Sequence, residues 1–306
     1  MVPAYNESEN VAPLVGALVP ILAKHGPYEI VFVDDGSSDG TLDAIKSLRA
    51  SNAYVRYVAL SRNFGHQAAL RAGLAHARGE CVVSMDADMQ HPPELVETMI
   101  ERWQQGFDVV YTVREEGRSL PFLKRLTSAG FYRLANALAG VRIEPGAADF
   151  RLLARPVVDV INDLGEDPLF LRGMLSWLGF KQSSIVYAPG SRLHGESKYT
   201  VRKMLSLATD GITSFSIRPL TMSAGVGALV SAGAFIYSLY VVYMRIFTSR
   251  AIVGWASVLA AVLWLGGIQL LVLGIIGEYL GKLFMQAKRR PFYVVRETSR
   301  DEERGP

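Results

Sequence analysis

Two stretches late in the chain, Leu220 to Met244 and Ala251 to Gly277, carry no charged residue. Each exceeds the ~20 residues a helix needs to cross ~30 Å of hydrocarbon. Buried core helices of that length without charge are rare. The two stretches therefore read as a transmembrane hairpin over 219–281, with spans at about 220–246 and 251–277 joined by a short link around Thr248, Ser249 and Arg250. This reading partitions the rest of the chain. Half of the 306 residues are hydrophobic, but the excess lies after Pro219, and residues up to about Ser216 have the balance of an ordinary soluble domain. Arg202, Lys203 and Arg218 precede the first span, and Lys282, Lys288, Arg289 and Arg290 follow the second. The positive-inside rule then puts both termini and the preceding domain in the cytoplasm, with Arg245 and Arg250 near the turn in weak opposition. The expected divisions are a globular domain over 1–199, a juxtamembrane helix over 200–218, the hairpin, and a basic tail over 282–306. From Glu297 onward the tail is charged and reads as disordered.

The net charge of +3 is too small to argue for a nucleic-acid partner. A single cysteine, Cys81, excludes an internal disulfide framework and a multi-cysteine zinc site. It lies in an apolar strand, which suits a buried structural thiol better than a nucleophile. The opening Met1-Val2-Pro3-Ala4-Tyr5-Asn6-Glu7 has neither the basic region nor the apolar run of a signal peptide. It leaves only Met1 and Val2 ahead of the Pro3 turn, where a first strand has about five or six residues.

The first half alternates strand and helix. Val11, Leu14, Val15, Leu18, Ile21 and Leu22 mark one face of a helix over Ser8 to Lys24, with Ser8 as a cap. Glu29 to Val33 is strand-like, a helix begins near Asp39, Val55 to Leu60 is a third strand, and a helix spans Gln67 to Ala77. A further strand begins at Cys81, a helix at Pro93, and another strand covers Asp108 to Thr112. Such βαβα order predicts an α/β fold with a mostly parallel central sheet and helices on both faces. In these sheets ligands bind at the carboxyl ends of the strands. The polar segments Pro3–Glu7, Asp34–Ser37, Arg62–His66 and Asp86–Gln90 all fall there.

The last of these segments, Asp86-Ala87-Asp88-Met89-Gln90, places two carboxylates one residue apart at a strand end. That arrangement suits a hard divalent cation, and Gln90 offers a neutral oxygen two residues on. The competing reading is that the carboxylates cap the helix opening at Pro93. Basic residues also recur on two amphipathic stretches. Leu120 to Gly140 sets Phe122, Leu123, Leu126, Leu134 and Leu138 among Lys124, Arg125 and Arg133, while Thr200 to Ser216 sets Val201, Met204, Leu205, Ala208, Ile212 and Phe215 against Arg202, Lys203 and Asp210. Both patterns suit helices at a membrane interface, or solvated helices packed on the sheet.

Taken together, Val2-Pro3-Ala4-Tyr5-Asn6-Glu7, Val33-Asp34-Asp35-Gly36-Ser37, Asp86-Ala87-Asp88-Met89-Gln90 and Asp149-Phe150-Arg151-Leu152 resemble the family 2 glycosyltransferases. The closest branch is the polyprenyl-phosphate glycosyltransferases, which include dolichol-phosphate mannose synthases and bacterial undecaprenyl-phosphate glucosyltransferases. The likeness extends to Arg192–Tyr199, the two-span tail, Gly277-Glu278-Tyr279-Leu280-Gly281 and Arg290-Pro291.

The resemblance implies a Rossmann-like domain of the GT-A type and a nucleotide-diphosphate sugar donor. Pro3, Ala4 and Tyr5 then line the base pocket, Asp35 meets the base, and Glu7 lies at the ribose, with Asp34 structural. Arg62 and His66 are matched to the diphosphate or the base edge. Asp86 and Ala87 face the ribose and sugar, and Asp88 with Gln90, backed by Asp86, binds Mg²⁺ or Mn²⁺. Asp149 stands where relatives acting on hydroxyl acceptors keep a base, though here orientation of sugar or acceptor is favoured. His91 is read as a helix-start residue.

The implied acceptor is undecaprenyl or another polyprenyl phosphate, already largely dianionic at neutral pH because its second pKa is near ~6. It needs cationic clamping rather than a strong base. Arg114, Lys124 and Ser128 match the acceptor-phosphate positions, with Arg125, Arg192, Ser197 and Lys198 as further candidates. The same cations also suit anionic membrane lipid. The expected product is a β-linked lipid phosphate sugar, with UDP-glucose the first donor expected and GDP-mannose or a modified UDP-sugar open. A polysaccharide synthase is disfavoured because the chain lacks Gln-x-x-Arg-Trp and has only two spans. A non-catalytic lipid-carrier or scaffold is disfavoured by the intact Asp86 and Asp88 pair. Glycines in both spans, among them Gly225, Gly233, Gly266 and Gly274, permit close helix contacts within one chain or in a homo-oligomer.

Overall fold

The computed structural model describes residues 1–114, 146–165, 171–188, 213, 216–248 and 254–304. The expected helix over Leu120–Gly140 lies outside the described residues, as does that over Thr200–Ser216 apart from Thr213 and Ser216. Eight strands occur among the described residues: β1 Val2–Ala4, β2 Ile30–Asp34, β3 Val55–Leu60, β4 Cys81–Ser84, β5 Val109–Arg114, β6 Ala147–Ala154, β7 Gln182–Tyr187 and β8 Val295–Thr298. The helices between and after them are α1 Ser8–Leu22, α2 Thr41–Ser51, α3 His66–His76, α4 Leu95–Gln104, α5 Arg155–Asp163, α6 Leu171–Leu178, α7 Arg218–Thr248, α8 Trp255–Ala287 and α9 Ser299–Arg304.

The strands form two four-stranded groups, β1-β2-β3-β8 and β4-β6-β5-β7. Met1 joins them: its nitrogen donates to Val83 O at 2.6 Å, and Met85 N donates to Met1 O at 3.1 Å. That exchange is a parallel bridge, so β4 lies beside β1 and runs with it. β6 is antiparallel to β4 and β5, and β8 is antiparallel to β3; the other six strands run one way. The expected mostly parallel sheet is borne out. β1 has three residues, short as expected, but it runs through Pro3 and Ala4, which pair with Val33 and Asp34, so the turn begins after Ala4 and not at Pro3.

Alternation along the strands divides the core. Val31 and Val33 of β2 join Leu70 and Leu74 of α3, Val157 and Ile161 of α5, and Leu175 of α6 on one face. Ile30 and Phe32 turn to the other face, against Leu14 and Leu18 of α1, Ile45 of α2 and Met99 of α4. A period of two sends neighbouring side chains to opposite faces, and both faces are covered, as parallel strands require. Within α1 the buried positions Val11, Leu14, Val15 and Leu18 follow the 3.6-residue period. Ser8 does not cap α1; Glu7 is the N-cap residue and makes no side-chain cap bond there.

Helices α7 and α8 are long and apolar enough to cross a membrane at Arg218–Met244 and Trp264–Ala287, and the most apolar part of each is not buried against the rest of the chain. Leu229, Phe247, Trp264 and Leu270 are exposed, an apolar surface of the kind that marks contact with lipid or protein. α8 does not stop at Gly277 but continues through Glu278 and Lys282 to Ala287. Near its end, Tyr279 OH donates to Ser216 O at 2.6 Å, and Lys282 Nζ donates to Thr213 Oγ1.

The tail corrects the reading of residues beyond Glu297 as disordered. Val295–Thr298 pairs with β3, and Tyr293 and Val295 pack on the core. Lys46 Nζ meets Glu297 Oε2 at 2.9 Å, Tyr57 N donates to Ser299 Oγ at 3.3 Å, and Arg49 donates to Ser299 O at 3.0 Å. Asp301 accepts from both Thr298 N and Thr298 Oγ1, while Arg300 N donates to Thr298 Oγ1, a capping-box arrangement that starts α9. Charge in this segment is therefore spent on specific partners at the edge of β3.

Candidate active site

A cleft of about 560 Å³ opens at the carboxyl ends of β1 to β4. Pro3 and Ala4 end β1, Tyr5 and Glu7 come from the loop after it, Asp35 follows β2 directly, and His66 starts α3. Asp86, Ala87 and Asp88 follow β4, and Asp149 lies on β6. Ten of the expected site residues thus line one cavity, together with Asn63, Gly65 and Ala69. A second cavity, about 490 Å³, lies among the amino ends of β2 and β4, beside Ile30, Cys81 and Val82, away from this group.

The loop after β1 is turned by Asn6, whose φ of 57° is a left-handed conformation asparagine tolerates. Asn6 N donates to Ser37 Oγ at 3.0 Å and Asn6 Oδ1 accepts from Ser38 N at 2.9 Å, locking this loop to the one after β2. Tyr5 stays 46% exposed, which leaves an aromatic face open to the cleft. The two neighbouring aspartates have separate tasks. Asp34 accepts from Ser37 N at 3.2 Å and holds its own turn. Asp35 accepts from Phe64 N at 2.8 Å and Gly65 N at 2.9 Å, so it fastens the loop after β3 while facing the cleft. A carboxylate has about four lone-pair sites, so Asp35 keeps acceptor capacity for a ligand. Burial raises its pKa, against the two amide bonds that favour the charged form.

Asp86 and Asp88 do not cap α4. The N-cap residue there is Glu94, and no side chain bonds to the cap. Asp88 Oδ1 instead accepts from Gln90 N at 3.1 Å, in a tight turn with Met89 at φ 60°. Asp86 lies 3.5 Å from His66 Nε2, which is also 3.6 Å from Asp149 Oδ2. Burial raises the pKa of Asp86; the charges of Asp149 and Asp88 add to the rise, while His66 and His91 oppose it. Glu7 is raised by burial as well, with Asp88, Asp39 and Asp86 contributing. This crowding of carboxylate oxygens fits a hard divalent cation, and the nearby ring nitrogens of His66 and His91 face the Asp86 carboxylate itself. Among the described residues no group of three or more His, Cys, Asp or Glu side chains is arranged to hold a metal by itself. Asp86 and Asp88 could do so with oxygens from a bound ligand and water.

Three expected residues have other neighbours. Arg62 donates to Asn63 O at 2.9 Å, stacks over Phe64 at 4.0 Å, and does not line the cleft. Gln90 is buried, and its Oε1 accepts from Arg114 Nη2 at 2.9 Å. That bond ties the end of β5 to the Asp88 turn. Lys124, Arg125, Ser128, Arg192, Ser197 and Lys198 lie outside the described residues.

Sequence reading missed the support beneath the site. His91 is not a helix-start residue but is buried at 4% exposure, its ring stacked on Phe150 at 4.9 Å with Tyr187 edge-on at 6.0 Å. Asp86 N donates to His91 Nδ1 at 3.4 Å, which leaves the proton on Nε2, the nitrogen facing the Asp86 carboxylate. Burial lowers the pKa of His91, against the pull of Asp86 and Asp88. Arg151, itself buried, donates to Asp149 Oδ1 at 2.8 Å and to Ala148 O at 2.8 Å. No local pattern separates these residues from ordinary core.

The sequence profile described as "Glycosyl transferase family 2" matches residues 1–161, the part of the chain that builds this cleft. The chain belongs to glycosyl transferase family 2. The resemblance carried by its motifs is borne out over nearly its whole length. This family 2 glycosyltransferase is 41% identical to "Uncharacterized glycosyltransferase YkcC" of Bacillus subtilis over 299 residues, 97% of this chain and 93% of that protein. It is 38% identical to the "Prophage bactoprenol glucosyl transferase homolog" of Escherichia coli over 302 residues, 98% of each. The solved mannosyl-3-phosphoglycerate synthase from Rubrobacter xylanophilus aligns with 73% of each chain at 17% identity and a TM-score of 0.46.

Proposed function

We propose that this family 2 glycosyltransferase transfers glucose from UDP-glucose to undecaprenyl or another polyprenyl phosphate at the cytoplasmic face of the inner membrane, with inversion. The observation that carries the reading is the Asp86 and Asp88 pair in a cleft shared with Tyr5 and Asp35, on a chain with two membrane-length helices. Full-length similarity to a protein named for bactoprenol glucosyl transfer supports the acceptor. Tyr5 stacks on the base, the free lone pairs of Asp35 accept from it, and Glu7 meets the ribose. Asp86 and Asp88 hold Mg²⁺ or Mn²⁺, with Gln90 within reach of the same turn. Such an ion, when bound, would supply Lewis-acid stabilisation of the charge that develops on the leaving nucleoside diphosphate.

The acceptor phosphate is the nucleophile and needs no strong base. Arg114, held by Gln90, draws it to the cleft, with Lys124, Arg125, Ser128, Arg192, Ser197 and Lys198 as further contacts. Asp149, fastened by Arg151, orients sugar or acceptor. Attack from the face opposite the leaving group converts an α-linked donor into a β-linked lipid phosphate sugar. Both termini and the cleft are cytoplasmic, where the donor is soluble and the acceptor phosphate reaches the surface.

Membranes containing the chain, supplied with radiolabelled UDP-glucose and undecaprenyl phosphate, test the proposal. Label should enter the lipid fraction, should stop with a chelator and return with Mg²⁺ or Mn²⁺. Asp88→Ala should abolish it. No transfer from UDP-glucose, GDP-mannose or a panel of modified UDP-sugars, with Asp88→Ala indistinguishable from parent, refutes the reading. Transfer from another donor alone corrects only the sugar.

A further inference from the structure

The chain beyond the second membrane-length helix returns to the donor side of the cleft. After α8 ends at Ala287, Phe292 lies over the Arg71 guanidinium at 3.6 Å, and Tyr293 and Val295 pack on the core. Val294 O accepts from Ser61 N at 2.8 Å. β8 then pairs with β3 through Leu60↔Val295, Ala59↔Glu297 and Val58↔Thr298, with a register shift between Ala59 and Leu60. The contact with Ser61 therefore falls where β3 gives way to the loop that carries Asn63 and Gly65 into the cleft.

Among the described residues, three contacts from outside the loop and α3 hold it. The Asp35 carboxylate accepts from Phe64 N and Gly65 N. Gly36, at φ 67°, lets the Arg62–Asn63 backbone approach so closely that a Cβ there would lie 2.4 Å from Arg62 C. Val294 supplies the third hold, and it alone comes from beyond the membrane-length helices. The first two act from the β2 side of the loop, and the third acts at its root on β3. Without the third, the loop would be held from the β2 side alone.

We infer that residues 292–298 are a positioning strap for the donor loop, through which the membrane-anchored end of the chain sets the geometry of nucleotide binding. The inference rests on the proposed function, because it takes the ligand of the Asp35 cleft to be a nucleoside diphosphate. The strap acts on Asn63, Gly65 and His66 rather than on the reacting atoms. Its loss is read as weaker donor binding, with acceptor binding preserved. A role confined to stability would lower the melting temperature and leave donor affinity intact.

The test uses the full chain in detergent with Phe292→Ala, Phe292→Trp and Val295→Asp. UDP and GDP binding is measured by calorimetry, the KM values for donor and acceptor are measured separately, and melting is followed by circular dichroism. Losing the order of one loop hydrogen bond should weaken nucleotide binding roughly three- to tenfold in Phe292→Ala. Val295→Asp should weaken it at least as much, and Phe292→Trp should restore it by returning an aromatic face to Arg71. The donor KM should rise while the acceptor KM stays within about twofold, the spread one lost contact leaves elsewhere. Nucleotide affinity equal to parent in a Phe292→Ala chain, whether or not melting falls, overturns the strap and leaves the proposed function standing. A parent chain that binds neither UDP nor GDP overturns both.

Discussion

Gly36→Ala is the sharpest probe of the loop proposed to bind the donor. Gly36 has φ 67°, and an added Cβ would meet Arg62 C at 2.4 Å, Asn63 N at 2.6 Å and Arg62 Cα at 2.7 Å. All three atoms are backbone, so no side-chain rotation relieves the contact. Ordinary van der Waals contact begins at 3.4 Å, so the loop must retreat by about 1 Å (3.4 − 2.4). Left-handed backbone costs a non-glycine residue roughly 1–2 kcal/mol by itself. Phe64 N and Gly65 N, bonded to Asp35 at 2.8 and 2.9 Å, would move with the loop beyond good hydrogen-bond distance. A 1 Å misplacement at a binding site can cost about a hundredfold in catalysis. The expected result is a fall of that order in kcat/KM for the donor. Melting should drop by about 2–8 °C, from roughly 1–2 kcal/mol at about 2–4 °C each in a chain of this size class. Gly40→Ala is the control, since nothing lies within 4 Å of a Cβ there. Donor kinetics in Gly36→Ala equal to those of Gly40→Ala would refute the claim that this loop binds the donor.

Three further outcomes are expected. Gln90→Ala and Arg114→Ala, made singly and together, should be non-additive in acceptor KM by about 0.5–1.5 kcal/mol, because the two side chains share one hydrogen bond; simple additivity would mean that bond has no part in acceptor binding. The Cys81 thiol is pushed up to about 11 by burial, so at pH 8 only about one molecule in a thousand carries the thiolate; labelling by a thiol reagent on the timescale of a free cysteine would contradict its packing. Lys46 holds the Glu297 carboxyl below its ordinary value of 4.5. Its stabilising effect is therefore present above that value and is lost as pH falls through the lower folded-state value. About a third of each side chain is exposed, so solvent screening keeps the effect below about 1 kcal/mol. Melting measured from pH 6 to pH 3 should show a small acid-side loss in the parent that Glu297→Gln removes.

Much of the site was legible because its residues lie in short runs at predictable places. A chain alternating strand and helix has few ways to fold, and parallel strands bring their carboxyl ends to one edge. Pro3–Glu7, Asp35, His66 and Asp86–Asp88 could thus be assigned to one cleft from the sequence alone. Arg62 was different. It lies in the right loop, but Phe64 offers its guanidinium a ring at 4.0 Å, and loop membership does not specify side-chain direction. His91 shows the same limit from the other side. Its place beside the aspartates was plain, yet its role depends on Phe150 and Tyr187, far along the chain.

By itself the sequence determined the elements whose evidence is local: the two uncharged stretches, the strand and helix periods, and the carboxylates at a strand end. Each follows from the spacing of residues within about twenty positions. Only the tertiary structure decided what depends on partners distant in sequence. β8 is four residues long with charges at Arg296 and Glu297, too short and too polar to announce a strand. It forms because β3 presents an open edge and Lys46 waits beside Glu297. Likewise Asp35 and Gln90 have ordinary neighbours in the sequence. Their tasks came from the amides of Phe64 and Gly65 and the guanidinium of Arg114, groups that only folding brings within reach.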